Sequence, residues 1–358
     1  MIDQRGQGLI ELLVATAIGL LVLGALLQFA LSAHTLTSVE GERTDLQQRL
    51  RVAIEMIRHD LMLAGAGPSR GPLRGPLNAI FPAVMPGRVG VSGADPELSF
   101  HSDRISILYV PSDAPQTRLI SPMPSAASAI AIDGLAPGCR VTSACGFAPG
   151  IDVLIYEATA VGGAHEVFSL SGVDVSRNLL TPVAPLSHAY SSQARVAVVV
   201  RRTYYLDVIG KRLMMYDGGR SDVPLVDHVV DLRFVYYGDP RGESVPPPEI
   251  GSSNCAYAGS PPVSILASLG GEGPKMMAAG MLTDGPVCGE PPYTFDADLL
   301  RIRRVSCTIR LEAESAEFRA QGNQFVSPGT SRASVKSIGD LQTTIDVAPR
   351  NMSAAVRE

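Results

Sequence analysis

From Leu12 to Ala33 the chain carries no ionisable side chain. At ~1.5 Å per residue a helix over that run reaches about 33 Å, enough to cross a hydrocarbon core of ~30 Å. One carboxylate, Glu11, stands at its head. Beyond His34 the pattern turns amphipathic: Leu46, Leu50, Ile54, Ile57 and Leu61 recur at steps of three and four, with Glu42, Arg43, Asp45, Arg49, Arg51, Glu55, Arg58 and Asp60 between them. The spacing predicts one helix from Gln7 to Leu63, roughly 85 Å long, with Asp60 on its wet face. Ala64-Gly65-Ala66-Gly67-Pro68 terminates it, two glycines and a proline being poor helix formers.

The period then shortens. Pro68 to Phe100 has no clear repeat and reads as an extended linker wrapped on a domain. Arg104–Val110, Ile151–Tyr156 and Glu166–Leu170 read as strands, the last two forming a hairpin through Gly162-Gly163. Ala194–Leu206 reads as one Val- and Tyr-rich element that turns at Gly210-Lys211 and returns as Leu213–Tyr216. Val305–Leu311 alternates apolar with polar, and Leu341–Val347 repeats the pattern as a closing strand. Between them, Asp239 to Pro292 carries Pro246, Pro247 and Pro248 in succession plus seven further prolines, which no central strand tolerates. It is expected to be a long insertion, either an ordered loop suited to adhesion or subunit contact or a segment without a role.

Composition supports a β-rich body. Gly (35) and Pro (27) are plentiful, favouring short strands joined by turns, and about 290 residues follow the N-terminal helix, enough for one large or two modest cores. The net charge of −5, with no basic cluster among aromatics, gives nucleic acid no electrostatic footprint. All five cysteines follow the apolar run, on the side that an oxidising periplasm would receive. Five residues separate Cys139 from Cys145, a gap that a turn closes into a disulfide, with free thiols or a metal as the other readings. Cys255 and Cys288 are placed to staple the Pro-rich insertion. Cys307 shares a strand face with Val305 and Ile309 and reads as a buried free thiol.

The head of the chain, Arg5-Gly6-Gln7-Gly8-Leu9-Ile10-Glu11, resembles the signal of type IV prepilins and type II secretion pseudopilins, a short leader ending in Gly followed by an apolar helix with one early Glu. A secretory signal peptide fits less well: the core is too long and Leu31-Ser32-Ala33 is a poor cleavage site. The resemblance implies that a prepilin peptidase cuts after Gly6 and methylates the new amine of Gln7. Glu11 then falls fifth in the mature chain and meets the amine of a neighbouring subunit during assembly. Gln7 stands where Phe or Met is usual, and Gly8 where Thr or Ser is common.

Two further stretches are similar to PilW-type minor pilins: Ile57 to Gly65, close to a "D-[IL]-R-x-A-G" helix exit with Met62 in place of Arg, and Pro224–Tyr237, close to the "PLV-x-x-V-x-x-L-x-F-x-Y" segment that J-type minor pseudopilins share and that, by this resemblance, feeds a central strand. The expected fold class is α+β and pilin-like, with a long N-terminal transmembrane and amphipathic helix packed on an antiparallel-sheet headgroup. The expected parts are a leader (1–6), a transmembrane half (7–33) and an amphipathic half (34–67) of the helix, and a periplasmic headgroup (68–358) with an insertion at 239–292. The resemblance implies a minor pilin that primes pilus assembly at or near the tip. Its partners would be other minor pilins, the major pilin, prepilin peptidase, the inner membrane and, as a candidate, a tip adhesin. It would sit in the inner membrane with its C-terminal domain in the periplasm, then on the cell surface. A J-type minor pseudopilin of type II secretion is the runner-up.

No catalytic motif is present: no nucleophile elbow, zinc-binding His pair, phosphate loop or dinucleotide fingerprint. Asp296-Ala297-Asp298 could hold Ca²⁺, although helix capping or solvent exposure accounts for two acids as well. Asp227-His228 could do acid–base work, but a satisfied histidine is the simpler reading. No cofactor and no metal are expected. A membrane-anchored periplasmic enzyme is the alternative from another class, and it would need a histidine or serine in a cleft with an orienting partner.

Overall fold

The computed structural model describes residues 8–68, 75–124, 129–136, 139, 143–157, 161–219, 221–245, 247–248, 254–291, 293–319 and 337–353. Gly6 and Gln7 therefore lie outside the described residues. The chain forms two compact units, one of residues 1–50 with 311–341, the other of residues 51–310 with 342–358.

Helix α1 runs unbroken from Leu9 to Leu63 and contributes to both units. In the first unit every described residue up to His34 is exposed, Val39, Leu46 and Leu50 are buried, and Glu42 accepts hydrogen bonds from the amides of Glu314 and Ser315. Arg49 pairs with Asp45 at 2.7 Å, and Arg319 with Glu312 at 3.3 Å.

In the second unit α1 buries Ala53, Ile57, Asp60 and Leu61, one stripe at helical spacing. Gly65 ends the helix with φ +75°, and a Cβ there would stand 3.3 Å from that of Ala83, so the exit requires glycine on both counts. The exit is bonded onward: the Gly65 amide donates to Leu108 O and the Ala66 carbonyl accepts from Val110.

The strands follow in chain order: β1 Val84–Met85, β2 Arg104–Tyr109, β3 Gln116–Arg118, β4 Ile130–Ala131, β5 Asp152–Tyr156, β6 His165–Asp174, β7 Leu179–Pro182, β8 Arg195–Val198, β9 Val200–Asp207 and β10 Arg212–Tyr216. Next come β11 Asp222–Asp227, β12 Val229–Gly238, β13 Tyr257–Ala258, β14 Val263–Ser264, β15 Lys275–Met276, β16 Val287–Cys288, β17 Phe295–Asp296, β18 Ile302–Leu311 and β19 Leu341–Val347. A five-stranded sheet has the order β1-β2-β9-β10-β11, a four-stranded sheet β15-β12-β18-β19, and a six-stranded sheet β3-β8-β5-β6-β7-β4. The last covers a core that includes Ile132, Cys145, Phe147, Ile155, Leu180 and Val196. The fold is α+β, a long apolar helix followed by an antiparallel β-rich domain.

Several expectations need correction. Ala194–Leu206 is two strands, not one: the chain leaves the six-stranded sheet at Val198 and enters the five-stranded sheet at Val200. Val199 between them is itself buried, so the apolar run never breaks. Pro224–Tyr237 also divides, at His228, whose φ of +60° turns the chain from the edge strand β11 into β12, an inner strand of the four-stranded sheet. In β12 Leu232, Phe234 and Tyr236 alternate inward as a half-buried strand should. β18 does not follow its apparent alternation, because both its faces are covered and Arg303, Ser306 and Arg310 are buried among the apolar residues. The supposed linker after Pro68 supplies fully buried Leu77, Phe81 and Val84. The 239–292 insertion pairs β15 with β12 and buries Tyr257, Leu266, Met277 and Leu282.

Candidate functional site: the N-terminal helix and its anchorage

The apolar half of α1 is built for a non-aqueous neighbour. Leu9, Ile10, Leu20, Leu21, Leu27 and Phe29 are all strongly exposed, and no charged side chain falls between Leu12 and Ala33. A continuous apolar surface of that size is not left in water by a stable chain, and α1 is long and apolar enough to cross a membrane. Glu11 sits in its first turn. Gly8 is the last residue before the helix; its carbonyl accepts from the amides of Glu11 (2.9 Å) and Leu12 (3.3 Å), and its amide donates to Glu11 Oε2 at 3.3 Å. The carboxylate thus closes half of a capping box and faces the positive end of the helix, an effect of ~0.3–1 kcal/mol at an exposed site.

The other end of α1 is held by a buried carboxylate that the polarity pattern misassigned. Asp60 is completely buried, not wet. Both its oxygens lie 3.0 Å from Arg202 Nη1; Tyr204 donates to Oδ2 at 2.6 Å and Tyr109 to Oδ1 at 3.1 Å. Tyr109 comes from β2 and Arg202 and Tyr204 from β9, so one acid on the helix ties two adjacent strands. Burial first, then the Asp60 charge, pushes the Tyr109 hydroxyl up to about 12 and raises Tyr204 further. Burial opposes the Arg202 charge, but Asp60 more than offsets it and holds that guanidinium above its ordinary pKa. The sequence signal was the Asp of the helix-exit pattern.

The four insertion and loop cysteines come together in pairs. Cys139 and Cys145 are joined, with Cα atoms 4.4 Å apart, across a tight turn in which Ala144 and Cys145 have positive φ. Cys255 and Cys288 are joined with Cα atoms 5.2 Å apart. Cys307 is a buried free thiol, and burial pushes its pKa up to about 12, far from nucleophile chemistry.

Asp296 caps the short helical turn Ala297–Arg301, accepting from the Asp298 amide at 2.8 Å, while Asp298 pairs with Arg301 at 2.6 Å. Among the described residues no group of His, Cys, Asp and Glu is arranged to hold a metal ion. His228 is half-buried at the β11–β12 turn. One acid–histidine cluster escaped sequence reasoning, because its members lie far apart in sequence. Buried Glu166 accepts from the Ser187 amide (2.8 Å), the His188 amide (2.9 Å) and Tyr190 Oη (3.1 Å), and lies 3.1 Å from His188 Nδ1. His188 Nε2 in turn faces Glu290 at 3.2 Å, so both ring nitrogens meet carboxylates. The cluster ties the 187–190 turn to β6 and to the segment beyond Cys288.

A family model described as the prokaryotic N-terminal methylation motif matches residues 1–27. No curated protein and no solved structure matches the chain. The motif supports a type IV pilin- or pseudopilin-like protein, processed by a prepilin peptidase and assembled with other pilins, and it suggests a structural pilin rather than an enzyme.

Proposed function

We propose that the protein is a PilW-type minor pilin that takes part in initiating type IV pilus assembly at or near the tip. The observation that carries this reading is the methylation motif on an exposed apolar helix whose sole early charge is Glu11. Cleavage after Gly6 frees the Gln7 amine, which stays cationic when methylated, and Glu11 of one subunit neutralises the amine of the next as the helix leaves lipid for the filament. Within the membrane an acid without a counter-ion is expensive, up to ~2.5–3.5 kcal/mol at the bilayer centre. The headgroup supplies contacts to other minor pilins, with Cys139–Cys145 and Cys255–Cys288 bracing its loops.

The methylation motif is common to pilins and pseudopilins, and deletion separates them. Loss of sheared surface pili, restored by the wild-type gene, supports the pilus; loss of secreted enzymes with normal piliation assigns the protein to a type II pseudopilus instead. Mass spectrometry of the mature chain should find methylated Gln7 first, and any other start removes the basis of the processing scheme. The Glu11→Ala variant should still insert in the membrane yet fail to enter sheared filaments.

A further inference from the structure

A cavity of about 510 Å³ opens in the second unit, beneath the loop of residues 85–99. Its volume falls in the ~300–1,000 Å³ range of small-molecule sites. Its wall is largely apolar, with Phe81, Leu98, Leu108, Val167, Leu282 and Phe295 among the lining residues. His165 belongs to that wall too: it stacks on Phe81 with ring centroids 4.4 Å apart, and burial lowers its pKa to about 4, so it contributes no charge near neutrality.

The charged groups of the wall are unevenly satisfied. Asp95 accepts from the Arg88 amide at 2.6 Å and from Arg104 at 2.9 Å, Glu97 accepts from Thr294, and Asp296 accepts from the amides of Gly285 and Asp298. Arg88 is paired with Asp222 at 2.9 Å. Arg201 is different. It is 6% exposed, its Nη2 donates to Gly218 O, and its Nε is buried with no partner among the described residues. The backbone makes room for this guanidinium: Gly218 has φ +84°, and a Cβ there would fall on the Arg201 head group. The Gly218 carbonyl also accepts from Val91, and Tyr216 beside it accepts from the Ser92 amide, which pins the loop over the cavity.

A buried cation with an unpaired N–H and, among the described residues, no carboxylate ion-paired to it is costly, and a guanidinium is suited to a planar carboxylate. We propose that this cavity binds a small monocarboxylate with an aliphatic body, its carboxylate on Arg201 and its chain among Phe81, Leu98 and Leu282. The acids of the wall are each already held by donors other than Arg201. They also disfavour a multiply charged anion.

The test uses the full-length chain in lipid nanodiscs, with empty nanodiscs as background, titrated calorimetrically with decanoate and decanol. The expected result is saturable one-to-one binding of decanoate above background. Loss of the charge-assisted bond should weaken it roughly tenfold or more, both for decanol and for decanoate with Arg201→Met. Leu282→Trp, which fills the cavity and leaves Arg201 in place, should abolish binding and serves as the second variant should Arg201→Met fail to fold. No saturable binding above background, equal affinity for decanol, or undiminished binding by folded Arg201→Met or Leu282→Trp overturns the proposal.

Discussion

Replacing Asp60 by alanine tests whether the helix is anchored to the headgroup by charge. The change removes the acceptor for two tyrosine hydroxyls and the carboxylate that faces Arg202 Nη1 at 3.0 Å. Breaking a buried pair by deleting one partner costs ~3–5 kcal/mol, and each stranded buried hydroxyl adds to that. Arg202 retains 35% side-chain exposure and can turn toward water, which places the loss near the lower bound, about 3 kcal/mol. At ~2–4 °C per kcal/mol for a domain of 150–250 residues, the melting midpoint should fall by roughly 6–12 °C. Circular dichroism melts of the purified chain measure this directly. Asp45→Ala is the control: its pair with Arg49 is half-exposed on the acid side, and exposed pairs are worth ~0–1 kcal/mol. If Asp60→Ala melts within a degree or two of Asp45→Ala, the buried network contributes no stability and the anchoring argument fails.

The same network sets an alkaline limit. Because Tyr109 titrates near 12 when folded against 10.0 ordinarily, stability is fully present below pH 10 and falls as the pH rises toward 12; tyrosinate absorbance should lag until the chain unfolds. The two disulfides differ in the loop they close. With sequence separations of 33 and 6, opening Cys255–Cys288 should cost about 4 kcal/mol and opening Cys139–Cys145 about 2 kcal/mol, so paired Cys→Ser variants should melt in that order. Cys307, buried with its thiol pKa near 12, should resist alkylation in the native chain and react only on denaturation, as counted by mass spectrometry. Rapid native labelling would show that β18 opens locally.

What could be read from the sequence was local. Helical spacing and a glycine exit place α1 to within two residues, and period-two runs locate β2, the β5–β6 hairpin and β19. What escaped was settled by residues far apart in the chain. Asp60 looked solvated because the polar rule judges a residue by its helix neighbours, while its partner Arg202 arrives 142 residues later. The change of sheet at Val199 left no mark, since a strand that passes from one covered sheet to another stays apolar throughout. Glu166 gave no sign of its burial, because the donors that pay for it come from a turn more than twenty residues on.

The two acids of α1 stand in opposite surroundings. Asp60 lies where its charge is permanently matched by Arg202 and two tyrosines, so it can hold the helix to the strands whatever surrounds the rest of the chain. Among the described residues Glu11 is answered by one backbone amide, at 3.3 Å, and no ionisable side chain follows it before His34. Moving the apolar run from lipid into a bundle of like helices exchanges one apolar surrounding for another, so burial alone gives little preference for the filament. In the assembly role proposed for Glu11, a cation supplied by a neighbour changes that balance, because it satisfies a charge that lipid leaves unpaired. The preference for assembly then scales with how poorly Glu11 is matched beforehand. A donor placed one turn on, on the face of Glu11, such as Ala15→Lys, should make the subunit more comfortable in the membrane and poorer at entering filaments; equal or better incorporation of that variant into sheared pili would refute the mechanism.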